Sequence, residues 1–297
     1  MQTVDVAVII AVRNEAANIA KCLRSLTPAR EIFVIDSGST DGTAEIAAAA
    51  GAQVVQFDYR GGYPKKRQWA IENLAIQSDW LLMVDADEEI PESLWREIAA
   101  AVAAPAGRVA FLIRKGFCFL GRRFRFGGFS FQAVLLFRKG KARFERLLED
   151  AASAGAMDME VHERVLVDGP IGALPTPLIH DDFKGLAAYI DRHNRYSTWE
   201  ARHRHHFLAT GQWGNESVRP RLLGNAQERR RFLKFVAVRI PCESMLWFLY
   251  HYIARGGFLE GYPGYVASRI RSNYIADVRA KVYELGQDDR SGSRPSG

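Results

Sequence analysis

The sequence predicts an α/β fold, with a mostly parallel β-sheet flanked by helices and a helical C-terminal extension rich in basic and aromatic residues. Three observations support this prediction. Short apolar runs alternate with amphipathic segments along the first hundred residues, which is typical of a βαβ series. Polar and acidic residues follow directly after the predicted strands, where α/β sheets bind ligands. Basic and aromatic residues then become frequent in the last third of the chain.

Hydrophobic periodicity places the individual elements. Strands are expected at residues 4–12, 31–35, 53–57, 80–84 and 109–113, and helices at 18–26, from 44, at 64–76, from 91, at 183–207 and at 265–285. Asn18 is the expected N-cap of the first helix because its short side chain can accept from helical amides. The histidines near the end of helix 183–207 fit no metal-ligand spacing, so we expect a solvated helix end there. They are His203, His205 and His206.

Composition limits the class of protein. A chain of 297 residues with 48% hydrophobic and 25% charged residues can form one large α/β domain with an appendage, or two domains. Three widely spaced cysteines indicate neither a disulfide framework nor a zinc motif, and fit a reducing compartment. The N-terminus lacks the features of a signal peptide, so we expect a cytoplasmic protein.

Charge is distributed unevenly along the chain. Residues 1–100 contain nine Lys/Arg and fifteen Asp/Glu, whereas the whole chain carries a formal charge of +6. The remainder therefore carries +12. An acidic first third can hold a cation, and a basic remainder suggests an anionic partner such as a phosphorylated glycan, a lipid surface or a nucleic acid.

The most informative stretch is the predicted strand 80–84 and the acidic loop after it. Four carboxylates, Asp85, Asp87, Glu88 and Glu89, lie within five positions. Because they repel one another, a divalent cation carrying a substrate diphosphate would stabilise them, and Mg²⁺ or Mn²⁺ prefers such ligands. The alternative is a solvated acidic turn that opens the helix at Pro91. That alternative explains the glutamates but does not require the two aspartates.

Three motifs together resemble the signatures of family 2 glycosyltransferases with the GT-A fold. They are Val12-Arg13-Asn14-Glu15, Asp36-Ser37-Gly38-Ser39-Thr40-Asp41-Gly42-Thr43 and Asp85-Ala86-Asp87. Neither a G-x-G-x-x-G nor a P-loop motif is present, so a nucleotide would be held differently. The resemblance implies that Asp36 contacts the base of a nucleotide sugar, Asp85 the ribose and Asp87 the metal ion.

The resemblance also implies further donor-site residues, namely Val12, Asn14, Glu15, Ser39, Lys66 and Ala86. The basic run Lys65-Lys66-Arg67 could lie near the donor phosphates, or could simply be an exposed helix start. The first 108 residues would form the nucleotide-sugar half of the GT-A domain, and residues 109–182 its acceptor half. His180 would complete the metal shell, as a late histidine does in several enzymes of this fold.

The sequence around Glu163 suggests the general base. In Met159-Glu160-Val161-His162-Glu163-Arg164, a histidine and carboxylates lie near a predicted strand end, and an inverting transfer needs one base to accept the proton of the acceptor hydroxyl. A surface strand with alternating charge is the alternative. The chain resembles the lipopolysaccharide core glucosyltransferase type of family 2, which has a His-Glu pair here. We therefore expect Glu163 to be the base, with His162 or Asp181 as substitutes.

The C-terminal extension, residues 183–286, is expected to bind a membrane surface or the acceptor. Residues 221–255 hold seven Lys/Arg against two Glu, and also a Trp/Tyr-rich apolar run. The longest uncharged run, Ser244 to Ala254, is too short to span a bilayer, but it suits an interfacial helix beside anionic headgroups. The alternative is packing on the catalytic domain or in a homodimer. Residues 287–297 are expected to be disordered.

Interleaved Phe and Arg residues at 117–131 suit sugar stacking, lipid contact or single-stranded nucleic acid, or alternatively a twisted hairpin.

We therefore expect a metal-dependent inverting transfer of one hexose, with UDP-glucose as the favoured donor, to a lipid-linked bacterial glycan at the inner membrane. The motif of processive synthases, Q-x-x-R-W, does not follow the expected base, so we expect single-sugar transfer. The alternative function is that of a sugar nucleotidyltransferase, which would need a glycine-rich basic loop after the first strand; Arg13-Asn14-Glu15 is not such a loop. A nucleic-acid-binding protein would not need the carboxylates, so we expect no nucleic-acid partner.

Overall fold

The computed structural model describes residues 2–60, 63–145, 165–181, 184–211, 222–223, 232, 236 and 238–292. The chain forms two compact units. The first comprises Met1–Arg123 and Ser130–Phe183, and the second comprises Phe124–Phe129 and Lys184–Gly297.

The first unit contains the predicted β-sheet and its helices. Its strands are β1 (Val4–Val12), β2 (Ala29–Asp36), β3 (Gln53–Gln56), β4 (Trp80–Val84), β5 (Glu88–Glu89), β6 (Ala110–Phe119), β7 (Arg122–Arg123), β8 (Phe131–Arg138), β9 (Ala142–Phe144), β10 (Val165–Val167), β11 (Ile171–Ala173) and β12 (Leu178–His180). Its helices are α1 (Ala16–Ser25), α2 (Thr43–Ala49), α3 (Lys66–Asn73) and α4 (Glu92–Ala103). Helix α3 is shorter at both ends than predicted.

The main sheet has the strand order β3-β2-β1-β4-β8-β6-β12-β5, with β7 and β11 paired to β6. Strands β1 to β4 are parallel, whereas β8 is antiparallel to both of its neighbours. Val12 pairs with Asp36 and Ile10 with Val84, so β1, β2 and β4 end at the same edge of the sheet. The predicted α/β fold, with a mostly parallel sheet and a helical C-terminal region, is confirmed. The functional division of the first unit at residue 109 stays a prediction.

Burial explains why the central strands are continuously apolar. Every residue of β4 is buried, and so are Val6 to Ile10 in the middle of β1. A strand that is covered on both faces cannot alternate apolar and polar residues. Trp95 and Ile98 of α4 are among the buried side chains that cover the sheet.

The loop after β2 satisfies the first amides of α1. The Glu15 amide donates to Thr43 Oγ1 at 2.8 Å, and the Ala16 amide donates to Asp41 Oδ2 at 3.0 Å. The prediction that Asn18 caps the helix is wrong, because Asn18 lies inside α1 and donates its side-chain amide to Glu15 Oε2. The cap comes from a distant loop, which local sequence cannot indicate.

Residues 117–123 form a hairpin, the alternative that the sequence left open. Strand β6 continues to Phe119, and Leu120 and Gly121, both with positive φ, turn the chain into β7. Phe119 pairs with Arg122 and Cys118 with Arg123. Strand β6 is thus longer than the predicted strand 109–113.

The second unit is helical. It contains α5 (Gly185–Thr210), α6 (Glu243–Leu249), a π-helical turn (Tyr250–Ala254), a 3₁₀ turn (Gly257–Glu260) and α7 (Gly261–Gly292). Helix α7 includes residues 287–292, where we expected a disordered tail to begin, and so corrects that boundary. No helix among the described residues combines the length and apolar composition that a membrane span requires.

A buried ion-pair network joins the helices of the second unit. Arg204 of α5 pairs with Glu200 at 2.9 Å and with Glu243 of α6 at 2.8 Å, and Tyr274 of α7 donates to Glu200. His203 is buried and its ring packs on Trp199, with ring centroids 3.9 Å apart. The prediction of a solvated helix end is therefore wrong for His203.

Candidate active site

The acidic loop after β4 is held by two basic side chains from other elements. Lys115 of β6 places its Nζ 2.6 Å from Asp85 Oδ2 and 2.7 Å from Glu88 Oε1. Arg67, from the first turn of α3, pairs with the other oxygen of Asp85. The first aspartate of the predicted motif is thus fixed between two cations.

Backbone pairing shapes the same loop. The Glu88 amide donates to the Asp85 carbonyl at 3.0 Å, and the Asp85 amide donates to Glu88 Oε2 at 2.9 Å. Glu88 then pairs with His180 in the β5–β12 ladder, and the Asp181 amide donates to the Asp87 carbonyl at 2.9 Å. These bonds bring residue 180 beside a loop that is distant in sequence.

Asp87 and His180 meet at the edge of this cluster. His180 Nδ1 lies 3.5 Å from Asp87 Oδ1 and 3.4 Å from Glu88 Oε1. Asp87 Oδ1 and His180 Nδ1 are buried, and neither makes a hydrogen bond of normal geometry to another described residue. Buried polar atoms usually have partners, so this pair is suited to an additional ligand.

The Asp87–His180 pair fits a divalent cation that is shared with a substrate. The described residues contain no group of three or more His, Cys, Asp or Glu side chains arranged as a complete metal site. Mg²⁺ at diphosphate sites commonly takes one or two protein carboxylates and completes its shell with phosphate oxygens and water. A carboxylate and an imidazole are ligands that Mn²⁺ also accepts. The donor set therefore fits the predicted ion when His180 binds as the neutral imidazole.

The two aspartates of the motif have opposite pKa shifts. Partial burial opposes ionisation of Asp85, but Lys115 and Arg67 hold its pKa well below the usual range. Burial, together with the charges of Asp85 and Glu88, raises the pKa of Asp87 to about 6, although His180 acts in the opposite direction. Burial would lower the pKa of His180, but contact with Glu88 and the charge of Asp87 raise it to about 9.

The loops after β1 and β2 form a second hydrogen-bonded group. Asp36 is buried and accepts from the Ser39 amide and hydroxyl and from Gln56 Nε2, the latter at 3.0 Å. The Asn14 amide donates to Ser39 Oγ at 2.9 Å, and the Thr40 amide donates to Asn14 Oδ1 at 2.9 Å. Asn14 adopts a left-handed φ of 56°, which asparagine tolerates better than most residues.

Helix α3 connects the two groups. Lys66 is buried and donates its Nζ to the Val12 carbonyl at 2.8 Å, while the next residue, Arg67, pairs with Asp85. The Ser37 amide, next to Asp36, donates to the same Val12 carbonyl. The ends of β1, β2 and β4 are thus linked through one helix terminus.

Most of the predicted donor and metal residues lie along this edge of the sheet. Ala86 is buried between Asp85 and Asp87, and Glu15 immediately precedes α1. The buried Lys66 supports the end of β1, and its contact with the donor stays a prediction. The expected bases Glu163 and His162 lie outside the described residues, whereas Asp181 is bonded through its backbone to Asp87.

Sequence reasoning missed Lys115. It lies two residues after the buried Ile113, with the exposed Arg114 between them. In a strand, alternate residues share a face, so extending the predicted strand past residue 113 would have placed this lysine inside. A lysine at a core position needs an acidic partner, so this requirement could have indicated that Lys115 contacts the carboxylates.

Comparison with known proteins identifies the family. Residues 7–166 match the family model described as glycosyl transferase family 2, which is more than half of the chain. The chain belongs to glycosyl transferase family 2. It is therefore a glycosyltransferase, and the family 2 match includes all three predicted motifs.

Two relatives that align with most of this chain are also named as glycosyltransferases. The chain is 26% identical to the lipopolysaccharide core biosynthesis glycosyltransferase LpsC of Rhizobium meliloti, over 91% of this chain and 89% of LpsC. It is 25% identical to the uncharacterized glycosyltransferase RT0209 of Rickettsia typhi, over 95% and 88% of the two chains.

Among solved structures, this chain is 26% identical to glucosyl-3-phosphoglycerate synthase from Mycobacterium tuberculosis. That structure is a complex with Mn²⁺, UDP and glucosyl-3-phosphoglycerate. That match has a TM-score of 0.31 and covers 39% of this chain and 44% of the synthase.

Proposed function

We propose that this family 2 enzyme transfers a single hexose, with inversion, from a nucleotide sugar to a lipid-linked bacterial glycan in a metal-dependent reaction. UDP-glucose is the favoured donor, and lipopolysaccharide core or an undecaprenyl-linked saccharide is the favoured acceptor class. The observation that carries the proposal is the buried Asp87–His180 pair beside the fixed Asp85, at the sheet edge where three strands end. A donor diphosphate is a fitting ligand there.

The residues of the site have separate roles in this proposal. Asp36, held by Ser39 and Gln56, would accept a hydrogen bond from the base of the nucleotide. Asp85 would contact the ribose, and Asp87 with His180 would hold Mg²⁺ or Mn²⁺. When bound, the cation would stabilise the negative charge of the departing nucleoside diphosphate.

Glu163 is the proposed general base. A base within hydrogen-bond reach of the acceptor hydroxyl accepts its proton while the oxygen attacks the anomeric carbon. That oxygen forms the new bond on the face opposite the leaving diphosphate, which inverts the configuration. His162 and Asp181 are the alternative candidates for the base. Asp181 directly follows His180, the proposed metal ligand, which supports it as an alternative.

The acceptor class is proposed from the relative and from the second unit. LpsC is named for lipopolysaccharide core biosynthesis and aligns with nearly the whole chain. The second unit exposes many large apolar side chains between residues 245 and 265, which we call the exposed apolar segment. Its members are Met245, Leu246, Leu249, Tyr250, Ile253, Phe258, Leu259, Tyr262 and Tyr265.

Charge around the exposed apolar segment favours an anionic lipid surface as its partner. Residues 244–276 contain three arginines and one carboxylate, Glu260. Glu260 is buried and accepts from the amides of Arg125 and Phe126 at 2.7 and 2.8 Å. Apolar side chains flanked by arginine suit the interface of an anionic membrane. We therefore place the enzyme at the cytoplasmic face of the inner membrane, with a homodimer as the other arrangement that would cover this segment.

A donor panel tests the proposed function. Purified protein is incubated with Mn²⁺ and UDP-, GDP- and dTDP-sugars, and release of the nucleoside diphosphate is measured. One donor class, expected to be the UDP-hexoses, should be hydrolysed slowly without acceptor and faster with lipid-linked glycan. Equal inactivity on all donors, with and without acceptor, would contradict the proposal.

A further inference from the structure

The lysine of β6 occupies a core position inside the acidic site. Lys115 is only 8% exposed, whereas its neighbour Arg114 is exposed. Removing an ammonium group from water is costly unless carboxylates compensate. Lys115 Nζ lies within 2.7 Å of both Asp85 and Glu88, and Glu88 is completely buried. This geometry makes Lys115 a permanent part of the site.

The charges of the site nearly balance without an added ion. The two carboxylates of Asp85 and Glu88 are matched by the two positive charges of Lys115 and Arg67. A divalent cation entering this group alone would leave it with a net positive charge. The same cation arriving with a diphosphate would not, because the phosphates bring negative charge with them.

We propose that Lys115 is a resident counter-cation that keeps the acidic loop assembled without metal and weakens the binding of free metal ions. It acts through Asp85 and Glu88, and so it is a positioning residue. The site then takes up a divalent cation firmly only together with the diphosphate of the donor. This inference rests on the proposed metal dependence of the enzyme.

The test measures binding of Mn²⁺ alone and of Mn²⁺ with UDP, by electron paramagnetic resonance, in the full-length protein. Wild type should bind Mn²⁺ weakly alone and much more tightly with UDP. Lys115→Met should bind Mn²⁺ alone about tenfold more tightly, because an uncompensated carboxylate now faces the ion. Lys115→Arg keeps the charge and should behave like wild type.

A matched control separates this effect from the loss of any lysine. Lys139 lies in the same unit and donates its Nζ to the Ile76 carbonyl at 2.6 Å, rather than to a carboxylate of the acidic loop. Lys139→Met should leave Mn²⁺ affinity unchanged. A purely structural lysine at 115 would, when removed, loosen the site and lower the affinity for Mn²⁺.

The outcomes are distinguishable. Unchanged or weaker binding of Mn²⁺ alone by folded Lys115→Met would overturn the role of Lys115, while wild-type binding of Mn²⁺ with UDP would still support the proposed function. Failure of wild type to bind Mn²⁺ even with UDP would overturn both. If Lys115→Met does not fold by circular dichroism, Arg67→Gln removes the other cation on Asp85, and it should tighten binding of Mn²⁺ alone in the same direction.

Discussion

At the residue scale, the two aspartates of the Asp85-Ala86-Asp87 motif are not equivalent. Asp85 is fixed by Lys115 and Arg67, whereas Asp87 faces His180 without a normal hydrogen bond at its buried oxygen. Both lie in the loop between β4 and β5, but the surrounding charges separate their chemistry. Asp85 is held in place by two cations, and Asp87 is the residue that we propose binds the metal ion.

The base assignment gives a prediction for a single residue. Glu163→Gln should lower the transfer rate by about 10²–10⁴-fold, because glutamine cannot accept the proton of the acceptor hydroxyl. Binding of the sugar nucleotide should be retained, since the base contacts the acceptor. Calorimetry with UDP and a transfer assay measure the two effects, with Glu160→Gln as the neighbouring control. Transfer at the wild-type rate by Glu163→Gln would remove the assignment.

At the element scale, the loop after β2 organises the N-termini of two helices. Asp41 accepts from the Ala16 amide at the start of α1 and from the Thr43 amide at the start of α2. Gly42, with φ of 88°, lets the chain turn directly into α2. The sequence motif Asp36–Thr43 therefore supports the fold as well as the proposed donor site.

Removing this cap should destabilise the first unit. Asp41→Ala should lower the free energy of unfolding by about 1 kcal/mol, the usual cost of deleting a helix cap. Thermal unfolding at neutral pH measures the change. Asp58→Ala is the control, because Asp58 is an exposed aspartate whose side chain pairs with the exposed Arg60. Equal melting temperatures for the two variants would show that the cap contributes nothing.

Helix α5 contains a histidine whose charge the fold disfavours. Burial, with the charges of Arg192 and Arg271, lowers the pKa of His193 to about 4, although its bond to the Tyr189 carbonyl at 2.8 Å acts the other way. An unfolded histidine titrates near 6.5. Its stabilising contribution is therefore complete above about pH 6.5 and is lost as the pH falls toward 4.

The corresponding experiment follows the melting temperature from pH 7 to pH 4 in wild type and His193→Gln. Other groups also titrate in this range, so the difference between the proteins is the informative quantity. The wild type should lose more stability than the variant on acidification. Parallel curves for the two proteins would contradict the assigned shift.

Local pattern predicted the elements that depend on local sequence. Strands β1 to β4 and helices α1, α2 and α4 were expected because burial on a sheet imposes apolar runs and periodic faces. Strand β8 and the short β5 were missed, since they are defined by antiparallel partners far along the chain. The same reason applies to the site. The aspartates could be found from their motif, whereas the position of Lys115 in the site and the true cap of α1 depend on contacts between distant segments.

At the scale of the whole molecule, the first hundred residues and the rest of the chain carry opposite net charges. The acidic residues of the first hundred include the site at the sheet edge, whereas residues 101–297 carry the positive charge. The exposed apolar segment lies in this basic part. In the proposed function, the acidic site acts in catalysis and the exposed apolar segment attaches the enzyme to a lipid surface.

Attachment can be tested without the acceptor. Ile253→Glu, at a side chain that is 56% exposed, should reduce cosedimentation with vesicles containing anionic phosphatidylglycerol, because a carboxylate opposes both insertion and charge attraction. Leu208→Glu is the control at an exposed leucine of α5 outside the segment. Wild-type protein that binds neither anionic nor neutral vesicles would contradict membrane attachment, and a dimer on gel filtration would identify a second copy as the partner.

The most direct test is the metal dependence of donor hydrolysis in wild type and Asp87→Asn. Wild-type protein stripped of metal should be inactive on the best donor of the panel and should regain activity with Mn²⁺. Asp87→Asn should remain at least about 10²-fold less active at the same Mn²⁺ concentration, because the ion would lose its carboxylate. Full activity of metal-free wild type, or full restoration of Asp87→Asn by Mn²⁺, would contradict a cation held by Asp87.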